Sequence, residues 1–186
     1  DGEGRRSLEL ELARLLVERT GRSEEALESV GRVLDASPSD PEALVLCSRL
    51  LQVDAIRTTM IVLLERALES ENDLRGKSLI LETLVAGATA APPRRRGWYD
   101  AILDLLGTLS DARTARKFAL MGAEELPSEL HFWEHAERLS RELEDPEPMA
   151  ELYTATMARD LSKDVALPLG QRAVAFFEER HRALSK

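Results

Sequence analysis

A 34-residue rhythm runs through this chain and constrains its fold more than any other feature. Counted from Ser7 as position 1 of a unit, Ala26 falls at position 20, Val33 at 27 and Pro38 at 32, and the next unit opens at Pro41. Counted from Arg96, Ala115 falls at position 20 and Pro127 at 32; counted from Leu130, Trp133 falls at 4 and Tyr153 at 24. These are the marks of helix-turn-helix units, each of which cannot bury its apolar face alone and so stacks on the next. Such an array presents a surface for binding rather than a reaction centre.

Composition agrees. Of 186 residues, 44% are hydrophobic and only 4% aromatic, so the core must be built from Leu, Ala and Val. Leu and Ala are strong helix formers, and β-branched runs are nearly absent. The expected class is all-α: a right-handed α-α superhelix of about five hairpins, roughly ten helices, in a single domain over 1–186.

The elements can be placed in turn. Leu8, Leu12, Leu15, Leu16 and Val17 recur at helical spacing, and Gly21 is expected to end that helix. Ser23 starts the next, with Ala26, Leu27, Val30, Val33 and Leu34 on one side. At Asp40-Pro41 the chain stops and restarts: Asp40 can cap the free N–H groups, and Pro41 takes the first helical position, where its missing donor costs nothing. The second unit carries Leu44, Cys47 and Leu51, then Met60, Leu64 and Ala67. A fifth helix is expected over 74–88. Ala90-Ala91-Pro92-Pro93-Arg94-Arg95-Arg96-Gly97 reads as a non-helical breaker, which leaves open the partner of the helix before it. The predicted frame is 7–40, 41–74, an irregular 75–95, 96–129, 130–163 and a terminal helix over 164–183.

At Ala26, Pro38, Ala115, Pro127 and Trp133 the pattern resembles the tetratricopeptide repeat, and Trp133 with Glu137 and Tyr153 is also similar to the half-a-tetratricopeptide variant. The resemblance implies that first helices of successive hairpins line a concave groove. Carried over by position, it places Leu8, Glu11, Leu12 and Leu15 there from the first unit, then Glu42, Val45, Leu46 and Arg49, then Asp100 and Asp104, then His131, Glu134, His135, Arg138 and Arg141. Of these, Arg49, Asp100, Asp104, His131, Glu134, His135, Arg138 and Arg141 form the candidate partner-binding set. The Lys and Asn residues by which some family members hold a terminal carboxylate are missing, so that ligand class is not expected. The implied function is a scaffold for another protein or peptide, without catalysis or cofactor; the rival is a purely architectural segment.

Candidate chemistry is sparse. His131-Phe132-Trp133-Glu134-His135 matches H-x-x-E-H, in which two His one turn apart hold zinc and the Glu activates water. It also needs a third ligand from a larger α/β domain, whereas Trp133 is explained as a packing residue, so no metal site is assigned. Arg94, Arg95 and Arg96, with Trp98 beside them, form the one dense basic cluster, read here as a loop patch with Trp98 as a candidate partner-facing anchor. Cys47 is the single cysteine, at a position that packs inward. No G-x-S-x-G, P-loop or G-x-G-x-x-G occurs.

A net charge of -9 and a pI near 5.0 argue against a nucleic-acid surface, which draws its affinity from Lys and Arg on phosphates. No apolar run is long enough to insert in a membrane. One cysteine fits a reducing compartment, hence a cytoplasmic location. The chain opens on Asp1 rather than Met, so a longer parent protein is expected. Phe176 and Phe177 are adjacent, about 100° apart on a helix, and cannot both face one core. The terminal helix is therefore expected to meet a further repeat or to self-associate.

Overall fold

The computed structural model describes residues 2–17 and 22–184. The helix stop expected at Gly21 lies outside them. The fold is all-α: among the described residues there are ten helices and no strand. They are α1 (Gly2–Leu15), α2 (Ser23–Ala36), α3 (Pro41–Leu50), α4 (Asp54–Ser70), α5 (Leu74–Gly87), α6 (Pro92–Thr108), α7 (Ala112–Glu125), α8 (Leu130–Glu142), α9 (Glu147–Met157) and α10 (Lys163–Leu184). From α2 onward every connection is three to five residues long. The chain divides into two compact units, Asp1–Leu105 and Leu106–Lys186.

Aspartates set several of the restarts. Asp40 accepts from the backbone N–H of Glu42 and of Ala43, both at 3.0 Å, with Pro41 at the first helical position. Asp73 accepts from Gly76 N at 2.8 Å, and Asp111 from Thr114 N at 3.0 Å. Each satisfies a donor that the first turn of a helix leaves without an intrahelical carbonyl. Two ends use the opposite device. Ser110 and Glu144 take positive φ, 55° and 52°, while Asp111 N reaches Leu106 O and Asp145 N reaches Ser140 O, both at 3.0 Å. These are left-handed caps closed by a bond across the last turn.

The stretch expected to break the fold does not. Residues 92–97 are the first turns of α6, not a loop. Pro92 and Pro93 occupy its first two positions, where no N–H is needed and the proline φ is already helical. Ala91 O accepts from Arg94 N and Arg95 N at 3.0 and 3.1 Å and closes the first turn. A proline pair interrupts a helix from within but can begin one.

With α6 restored, the pairing changes. In the first unit α1 packs on α2, α3 on α4, and α1, α3 and α5 lie side by side while α2 lies against α4. Arg94 and Trp98 of α6 bond Glu65 of α4, and Arg95 bonds the end of α5. The result is three hairpins in two layers, α1/α3/α5 and α2/α4/α6. α5 itself packs on α3 and α4, and α6 meets its C-terminal end through Arg95. In the second unit α7 packs on α8 and α9 on α10, with α7 beside α9. The expected frame 96–129 spans α6 and α7, and 130–163 spans α8 and α9.

Each unit has its own core. The first buries Ala26, Val30, Leu44, Leu46, Cys47, Leu50, Met60, Leu64, Ile80 and Leu84; the second buries Phe118, Phe132, Trp133, Met149 and Tyr153. Trp133 stacks on Tyr153 with ring centroids 4.8 Å apart, and the Phe132 ring lies where a side chain on Gly122 would stand, 3.1 Å from that Cβ position. Truncating the indole leaves a cavity that rigid helices cannot close. Trp133→Ala should lower the stability of the chain by about 3–5 kcal/mol in urea unfolding followed by circular dichroism.

Candidate functional site

The most distinctive exposed surface of the first unit lies on the α1/α3/α5 layer. On α1, Leu10, Ala13 and Leu16 point inward, which turns Leu8, Leu12 and Leu15 outward at i, i+4 and i+7, with Leu8 68% exposed. On α3, Ala43, Leu44, Leu46, Cys47 and Leu50 are buried, leaving Glu42, Val45 and Arg49 outside. On α5, Ile80, Leu81 and Leu84 are buried and Leu79 is exposed. Leu8, Leu12, Leu15, Val45 and Leu79 thus line the open side of three neighbouring helices. Arg14 and Glu42 pair across α1 and α3 at 3.6 Å at the edge of this face. Leu46, expected in the groove, is 2% exposed and belongs to the core.

Leu79 is absent from the groove set that the repeat positions predict, because the irregular frame over 75–95 assigns it no position. A signal for it exists: in a unit opened at Arg75 it takes position 5, as Val45 does in the unit opened at Pro41.

The expected partner-binding residues fall on three helices in two units. Arg49 stands on α3, in the open layer just described. Asp100 and Asp104 stand on α6, in the other layer, where Asp100 pairs with Arg96 at 3.5 Å. His131, Glu134, His135, Arg138 and Arg141 all stand on α8 of the second unit. There Arg138 pairs with Glu142 at 3.3 Å, Arg141 with Glu137 at 3.6 Å, and Glu134 with Arg172 of α10 at 3.0 Å. His131 Nδ1 lies 3.7 Å from Glu129. The zinc reading gains no support from this arrangement, since its Glu is engaged by a guanidinium and no group of three or more potential ligands occurs among the described residues.

Two of the three arginines of the basic cluster, Arg94 and Arg95, are structural. Arg95 is buried, and its Nη1 donates to the carbonyls of Val85 at 2.8 Å and Ala88 at 2.9 Å, at the end of α5. Its guanidinium carbon lies 5.2 Å from the Tyr99 ring centre and 5.8 Å from that of Trp98. Arg94 holds Glu65 with two nitrogens, and Trp98 Nε1 donates to the same carboxylate at 3.1 Å. Trp98 is therefore a buried packing residue and not a partner-facing anchor. The hydrogen bonds from Arg94 hold the Glu65 carboxyl below its ordinary 4.5, against the upward pull of partial burial, and Trp98 adds to the lowering.

A second network, invisible in the sequence pattern, joins α8, α9 and α10. Arg172 grips Glu137 through Nε and Nη2, each at 2.9 Å, and Tyr153 donates its hydroxyl to the same carboxylate. Burial raises the Tyr153 pKa, and the adjacent Glu137 raises it further, so the phenol stays protonated. Burial works against the Arg172 charge, but Glu137 outweighs it. Cys47 is enclosed, and burial pushes its thiol up to about 12, which removes the thiolate that reactivity requires.

Comparison with known proteins adds little. No family model matches the chain, and no curated protein matches it. A solved structure described as "Functional Characterization of Pseudomonas Aeruginosa pilF" aligns over 100% of this chain and 90% of that chain at 16% identity and a TM-score of 0.33. A likeness at that score fixes neither the fold nor the function of this chain. No helix among the described residues is long and apolar enough to cross a membrane.

Two outcomes are expected at the α4–α5–α6 junction. Arg95→Met leaves buried carbonyls of α5 without their donor and should cost about 1–3 kcal/mol in urea unfolding, with Arg95→Lys between it and the wild type. Because the Glu65 carboxyl titrates lower in the folded chain than in the unfolded one, it stabilises fully above pH 4.5, and that contribution is lost as pH falls through the lowered folded value. Glu65→Gln should accordingly flatten the acid side of a plot of melting temperature against pH.

Proposed function

We propose that this chain is a tetratricopeptide-like protein-interaction scaffold, non-catalytic, that docks a peptide or protein segment on the open side of the α1/α3/α5 layer. The observation that carries the reading is the row of outward Leu8, Leu12 and Leu15 on α1 with Val45 and Leu79 on the next two helices. Scattered exposed apolar residues are ordinary, but four leucines and a valine on adjacent elements of one face are what a helix-in-groove or extended-segment partner uses. The receptor helices are already held by their own cores, so little ordering entropy opposes binding and moderate contacts suffice. Glu42 and Arg49 border the apolar row and would select the register of a charged partner.

The absence of catalysis is supported by where the buried charges are spent. Arg95 and Glu137 are the buried charged side chains of these networks, and each is bound to groups of the scaffold itself. The excess of acidic residues makes a protein or peptide, rather than a nucleic acid, the proposed ligand. A cytoplasmic setting is part of the same proposal.

The test is selection of binders to the whole chain from a displayed random-peptide library, followed by calorimetry. Leu12→Glu with Val45→Glu should weaken the selected peptide at least tenfold while leaving the melting temperature unchanged, since both sites are exposed. Arg138→Glu with Arg141→Glu should leave it unaffected. A peptide that is lost with the α8 pair and indifferent to Leu12 and Val45 would place the docking surface elsewhere and overturn the assignment.

A further inference from the structure

We draw no further inference here: the strongest candidate, the outward apolar stripe of α10 formed by Leu167, Val174 and Phe177 beside Met157 of α9, is an unpartnered helix face, and nothing in the structure shows what covers it.

Discussion

Every helix ends with carbonyls that its own backbone cannot satisfy, and in this chain side chains from elsewhere supply the missing donors. Arg95 reaches the carbonyls of Val85 and Ala88 at the end of α5, and Gln52 reaches Gly87 O at 3.2 Å beside them. Arg57 Nε donates to Leu51 O at 2.8 Å in the turn between α3 and α4. In the second unit Arg159 donates to Glu124 O at 3.0 Å, and Arg116 holds the turn before α9 through both the carbonyl and the carboxylate of Asp145, each at 2.9 Å. A guanidinium is well matched to helix ends, because it stays charged, spreads five donors over a plane and complements the negative end of the helix dipole. Bonds of this charged type contribute about 1.5–3 kcal/mol each, comparable to burying one aliphatic side chain. They also fix where the following helix begins, which apolar packing alone does not.

This use of arginine changes what the charges of the chain mean. In an array of helices the acidic and basic residues would ordinarily be a solvated face. Here the arginines nearest the core are engaged by carbonyls or by Glu65 and Glu137, and they hold successive helices in order. Among the charged residues of the surface stand a few exposed leucines and valines and Phe177. On the proposed reading, recognition falls to apolar rows on the outer layer, and the charges beside them set register rather than affinity.

The local features of the fold are legible in the sequence and the pairing is not. Asp40-Pro41 marks a helix start because both residues act within three positions of themselves, and the structure places cap and proline there. Trp133 and Tyr153 are legible as core by position in the repeat. Pro92-Pro93 misleads because the rule that proline breaks helices depends on which turn it occupies, and nothing nearby announces Ala91 as the start. The roles of Arg95 and Arg172 lie beyond reach for a different reason: their partners belong to other helices, Glu137 being 35 positions from Arg172.

Phe176 and Phe177 show how far pattern alone can carry. Adjacency requires that they diverge by about 100°, and they do: Phe176 closes the core over Tyr153, and Phe177, 39% exposed, looks outward. The outward ring is still within 6.3 Å of the Tyr153 ring and 5.5 Å of Phe176, so it rests on the core it is not part of. An aromatic held in place by its neighbours loses little side-chain entropy on meeting a partner, while its exposed apolar area remains to be buried there. Rigidity in the core thus extends to the outer ring, and the Arg172 pairs that hold α10 against α8 contribute to it.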